Sequence, residues 1–289
     1  MKLDRTSIFT INSESSLSTE IMGNYSRMKY GDPKATKILA EMLSEKFSSD
    51  CPSAGDFFVG DGAVLTSSAF GSVPTAAHAL TNEFGLLLES KGGNLEYIKI
   101  DRSHNLEKED YATLNHSERR DVMATRKLSL SKRCAEKLKG RPLIVVDDLF
   151  ATGRHEQAIV NLLNSVIPVR RVVFLYIFEF SRQLSYSNPM AEHVLNGSHI
   201  KKLNDYLSLF QERGVMPYIN ARVVKFLLSE GSANKKSFKN FLREMPTEYC
   251  EKLLGATGSD DMKQITRAFF PAVEMLRNEM LDRLVLENS

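Results

Sequence analysis

The sequence predicts an α/β fold: a parallel sheet flanked by helices, with an N-terminal hood and an all-helical C-terminal extension. Three observations carry that expectation. Leu143-Ile144-Val145-Val146 is an unbroken run of branched apolar residues, the pattern of a strand buried on both faces of a parallel sheet. A second apolar run, Val172–Phe178, follows after roughly 25 residues that include a helical stretch, enough for a right-handed β-α-β crossover. Past about residue 185, strand patterns stop and apolar residues recur only at helical spacing.

The elements follow in order. Asp32-Pro33 reads as a helix start, the acid as N-cap and the proline in the first turn. Ala35, Ile38, Leu39, Met42 and Phe47 then recur at helical spacing, so residues 33–47 form an amphipathic helix. Phe57–Leu65 reads as one or two short strands interrupted by Gly-Asp-Gly. The loop Thr66–Val73 leads into a helix opened by Pro74 and closed before Gly92-Gly93. Leu95–Ile100 is a further strand, 101–129 a polar loop or lid, and Ser131–Lys139 a short helix stopped by Gly140. A helix over about 156–166 lies between the two apolar strands. In the tail, Tyr206, Leu207 and Phe210, then Val223 to Leu228, then Phe238, Phe241, Leu242 and Met245 mark helices. Phe269, Val273, Leu276, Met280 and Leu284 mark the last. The expected units are 1–50 as hood, 51–185 as α/β core and 186–289 as helical domain.

Bulk properties exclude several classes. With 42% hydrophobic and 26% charged residues the chain is globular, neither disordered nor fibrous. A net charge of +2 gives no global field for nucleic acid or an anionic membrane. No apolar run reaches the ~18 residues of a membrane span, and the N-terminus lacks an apolar signal core. Cys51, Cys134 and Cys250 are scattered, without a Cys-x-x-Cys pair, so reduced thiols and a cytoplasmic protein are expected. His78, His104, His116, His193 and His199 show no metal-ligand spacing.

Chemistry concentrates after the first apolar strand. Ligands of open α/β sheets bind beyond the carboxyl ends of strands, so Asp147 and Asp148 are expected at the mouth of a site. Ala151-Thr152-Gly153 then lets backbone N–H groups converge at a helix start, a place for phosphate. Carboxylates for hydroxyls and amides for phosphate describe a phosphorylated sugar. The plain alternative is a buried strand ending in a solvated acidic turn.

Residues 143–155 resemble the phosphoribosyl-pyrophosphate (PRPP) signature of the type I phosphoribosyltransferases. The departures are Phe150, where a smaller aliphatic residue is usual, and His155, in place of a hydroxyl residue. Three weaker segments resemble the same family in the same order. Leu65–Pro74, rich in small residues, stands where the family has its pyrophosphate loop. Arg27-Met28-Lys29-Tyr30-Gly31-Asp32 resembles a Lys-Tyr-x-Gly-Asp stretch of ComF-like homologues, and Leu114 with Arg119 matches their Leu-x4-Arg element. Each has a bland reading as a βα connection or a solvated basic loop. Residues 186–289 match no named pattern.

The resemblance implies a type I phosphoribosyltransferase sheet and an enzyme that displaces pyrophosphate from C1 of PRPP with a nitrogenous acceptor. Asp147 and Asp148 would hold the ribose hydroxyls directly or through Mg2+-bound water. Ala151, Thr152, Gly153, Arg154 and His155 would grip the 5′-phosphate; Ser67, Ser68, Gly71 and Ser72, with Arg119 or Arg120, would meet the leaving pyrophosphate. The loop 101–129 would close and exclude water. It also implies a homodimer. A rival is a PRPP-sensing regulator without turnover, its helical tail docked on a protein partner.

Overall fold

The computed structural model describes residues 1–12, 18–50, 62–102, 128–188, 190–213 and 216–287. A five-stranded sheet organises the first two thirds of the chain. Its strands are β1 (Lys2–Ile11), β2 (Ala63–Ser67), β3 (Leu95–Tyr97), β6 (Leu143–Phe150) and β7 (Arg171–Phe180). They lie in the order β1-β7-β6-β2-β3, with every neighbouring pair parallel. β6 is central, as its unbroken apolar run requires, for a strand with helices on both faces has no solvent side to furnish.

Successive β6 residues serve opposite faces. Ile144 and Val146 join Leu65, Val173 and Leu175 against α1 (Thr19–Lys29), α2 (Pro33–Asp50) and α3 (Ala76–Ser90). Leu143 and Val145 join Val64, Val172 and Phe174 against α4 (Lys132–Leu138) and α5 (Arg154–Val166). The same alternation carries Asp147 and Asp148 to opposite faces at the strand's carboxyl end.

Most expected elements stand where the pattern put them. Asp32 Oδ1 accepts the N–H groups of Lys34 and Ala35, at 2.9 and 3.2 Å, capping α2. Ser131 caps α4, and Gly140 follows with φ of 74°. Of Phe57–Leu65, residues 57–61 lie outside the described residues, and β2 begins at Ala63. The base of the polar loop is a small antiparallel pair, β4 (Asp101–Arg102) with β5 (Leu128–Ser129); residues 103–127, with Leu114, Arg119 and Arg120, lie outside the described residues.

Two elements of the first fifty residues have no counterpart in the sequence reading. β1 forms an edge of the sheet, and α1 covers its carboxyl end, so Arg27–Lys29 close a helix rather than lie in a loop. The first fifty residues thus supply a strand and two helices to the core. α6 (Arg182–Ser187) and α7 (Ala191–Asn196) still pack on the sheet: Leu184, Ala191 and Leu195 belong to its apolar cluster. A separate cluster includes Tyr30 and Val73 and, from Ile200 onward, gathers α8 (Leu203–Arg213), α9 (Ala221–Ala233), α10 (Lys235–Glu244), α11 (Thr247–Thr257), α12 (Lys263–Ala268) and α13 (Phe270–Glu287). Tyr206 and Tyr249 share a hydroxyl contact at its centre. Among the described residues, no helix is long and apolar enough to cross a membrane.

Candidate functional site

Asp147 and Asp148 emerge at the end of β6 beside the turn that opens α5. They are not open to solvent as expected: their residues are only 9% and 8% exposed. The cover is α1, where Tyr25 and Lys29, one helical turn apart, face the same way. The Tyr25 hydroxyl donates to Asp148 Oδ2 at 2.7 Å, and the Lys29 ammonium pairs with the same oxygen. Burial by itself would raise the Asp148 pKa. The Lys29 charge and the hydrogen bonds donated by Lys29 and Tyr25 outweigh it and hold the group well below the usual carboxylate range. Asp148 is therefore ionised and paired. Tyr25 stays a neutral donor, its pKa raised by burial and then by the Asp148 charge.

Asp147 is engaged through a different chain. Its Oδ1 accepts the Asp148 N–H at 2.9 Å, and its Oδ2 lies 3.0 Å from His155 Nδ1. Arg102 Nη2 approaches His155 Nε2 at 3.0 Å. A guanidinium only donates, so the imidazole accepts at Nε2 and carries its proton on Nδ1, pointing at Asp147. The ring expected at the 5′-phosphate is turned to the acid pair.

The turn after β6 has the form of an anion site. Gly153 occupies the left-handed region (φ 71°, ψ 0°) and starts α5 without any side-chain cap, so the first-turn N–H groups keep their donor capacity. Thr152 and Arg154 are exposed; Ala151, Gly153 and His155 are partly buried. Phe150 lies under this turn. A β-carbon on Gly153 would come within 3.1 Å of its ring, and Arg5 stacks 3.7 Å from the ring centroid. Arg5 also grips Glu156 of α5 through two hydrogen bonds of 2.9 and 2.8 Å. The edge strand β1 thus fixes both the phenylalanine and the helix start.

The small-residue loop lies at the end of the neighbouring strand β2. Ser67 and Ser68 are buried, and the Ser68 and Phe70 N–H groups donate to Val146 and Ile100 carbonyls at 3.0 and 3.3 Å. Among the described residues, the N–H groups of Gly71 and Ser72 have no such partner, while that of Val73 donates to Asp261 Oδ2 at 3.1 Å. The structure therefore brings Asp147, Asp148, the 151–155 turn and the 67–72 loop to the ends of adjacent strands. Sequence reasoning marked Lys29 only as part of a stretch that resembles ComF-like homologues, and it missed Tyr25, Arg102 and Asp261 altogether. The spacing of Tyr25 and Lys29 was a signal only if α1 had been recognised.

The sequence model of a family described as PRTase ComF-like matches residues 3–269. No curated protein sequence matches the chain. Among solved structures, a hypoxanthine-guanine phosphoribosyltransferase of L. donovani is similar at 10% identity, covering 54% of this chain and 78% of that one (TM-score 0.37). A hypoxanthine phosphoribosyltransferase of Trypanosoma cruzi is similar at 12%, covering 52% and 67% (TM-score 0.36). One from Staphylococcus aureus is similar at 12%, covering 52% and 65% (TM-score 0.32).

Proposed function

Because this chain belongs to the PRTase ComF-like family, we propose that it binds PRPP and transfers the phosphoribosyl group to a nitrogenous acceptor in the cytoplasm. The observation that carries the reading is the pairing of two features on consecutive elements. A carboxylate pair ends β6, and an uncapped helix start, opened by Gly153, follows at once. One suits the hydroxyl edge of a ribose and the other its 5′-phosphate.

In the reaction, the C1–oxygen bond to pyrophosphate breaks and a bond from the acceptor nitrogen forms on the opposite face. Positive charge grows on the ribose ring, and negative charge on the departing diphosphate. Asp147 and Asp148 stabilise the first. The free N–H groups of Gly71 and Ser72 meet the second, and the α5 start holds the far end of the substrate so that C1 stays in line. Lys29 must withdraw from Asp148 before the ribose is seated.

Two adjacent carboxylates are hard oxygen donors, and the described residues contain no group of three or more His, Cys, Asp or Glu able to cage an ion. Such a donor set suits Mg2+: Asp147 and Asp148 would hold it through water, and it would neutralise phosphate charge. Purine, pyrimidine and nicotinamide-like bases are the acceptors to screen for pyrophosphate release from PRPP. Release with at least one of them, lost in Asp148→Asn, is the expected result.

One observation favours a second reading. Asp148 is sealed by Lys29 and Tyr25, and His155 occupies Asp147, so the pocket is satisfied from within. A regulator that binds PRPP and signals through its helical tail would show a thermal shift with PRPP and no release with any acceptor. Absence of both the shift and release would end both readings.

A further inference from the structure

The C-terminal helical unit reaches back into the small-residue loop with one side chain. Asp261, in the short turn Asp260–Met262 between α11 and α12, places Oδ2 3.1 Å from the Val73 nitrogen. The same oxygen lies 2.5 Å from where a β-carbon on Gly71 would stand, so only a glycine there admits the carboxylate. Its other oxygen, Oδ1, is buried with no hydrogen-bond partner among the described residues. A buried carboxylate oxygen without a donor is costly, and a fold seldom retains one that has no further use.

We propose that Asp261 is an internal competitor for diphosphate: its carboxylate sits in the loop that the proposed function gives to the leaving pyrophosphate. The proposal rests on that reading of the 67–72 loop. The carboxylate takes the Val73 N–H and lies against Gly71, beside the free N–H groups of Gly71 and Ser72, so its charge bars a diphosphate until Asp261 leaves. The same helical unit also holds the other half of the pocket shut. Asn220 Nδ2 donates to the Lys29 carbonyl at 3.2 Å, and the Tyr218 N–H donates to the Gly31 carbonyl at 2.8 Å. The residue whose ammonium covers Asp148 is thereby anchored to the domain that supplies Asp261. One movement of that unit would release the acid pair and the diphosphate loop together, coupling two sites through a single element.

The test is titration of inorganic pyrophosphate into the full chain by calorimetry, comparing wild type with Asp261→Asn and Asp261→Ala. Asn removes the charge but keeps an oxygen for the Val73 N–H, so it guards against loss of fold in the alanine variant. Asp260→Asn is the control, because the Asp260 carboxylate pairs with the exposed Lys263 at 2.7 Å, away from the loop. Both Asp261 variants should bind more tightly by roughly 5- to 150-fold, the usual range for coupled sites, with the control unchanged. Equal or weaker binding in the Asp261 variants, with wild type binding normally, would overturn the competitor and leave the site reading intact. No binding by any of the four proteins would overturn both.

Discussion

Replacing Lys29 by methionine removes the charge that holds Asp148 and leaves most of the side-chain volume. The pair is well buried, with side-chain exposures of 11% and 12%, so water cannot take the place of the ammonium. Breaking one partner of such a pair costs about 3–5 kcal/mol, because the remaining charge stays buried and uncompensated. Tyr25 still donates to Asp148 at 2.7 Å, which puts the expectation at the low end, about 3 kcal/mol. At about 2 °C per kcal/mol for a chain of this size, Lys29→Met should melt near 6 °C below wild type. Calorimetry or circular dichroism at pH 7 reads this directly. A double-mutant cycle with Asp148→Asn isolates the pair, since the double variant has no stranded charge and should lose much less than the sum of the singles. Additive losses, or a Lys29→Met melt within about 1 °C of wild type, would refute the claim that this ion pair closes the pocket.

Two further outcomes follow from the same geometry. Because Asp148 has its pKa depressed in the folded chain, its stabilising share is complete above the unfolded value of about 3.9 and fades as pH falls below it toward the folded value. Urea melts at pH 7 and pH 3 should therefore show a smaller acid loss in Asp148→Asn than in wild type, and equal losses would contradict the pairing. Gly31→Ala should unfold the junction with the helical unit: φ is 86°, and the new β-carbon would lie 2.1 Å from the Tyr218 carbonyl oxygen. The left-handed backbone alone costs about 1–2 kcal/mol, and the backbone clash adds to it, so a wild-type melting temperature would count against this contact.

The central sheet was legible because its signal is local. Val145 and Val146 sit in an apolar run that only a two-sided strand accepts, and the crossover to β7 follows from spacing. The cap at Asp32 and the short helix beginning at Ser131 were legible for the same reason. β1 was not, because an edge strand with polar residues such as Asp4, Arg5 and Ser7 carries no buried two-sided pattern. α1 contains Gly23, Asn24 and Ser26, weak helix formers whose helix is stabilised by burying Tyr25 and Met28. With α1 unseen, the acid pair looked open, and the ion pair that closes it joins residues 119 positions apart. Asp261 was further from reach still, since nothing near it in sequence marks a contact with a loop 188 positions away.

The most direct measurement is calorimetric titration of PRPP, with Mg2+ present, into wild type and Asp147→Asn. The account predicts one-to-one binding by wild type, and binding weakened at least tenfold, about 1.4 kcal/mol, once a carboxylate at the ribose edge is lost. Wild-type chain that takes up no PRPP, or an Asp147→Asn variant that binds it equally well, would contradict the placement of the sugar between the β6 acid pair and the α5 turn.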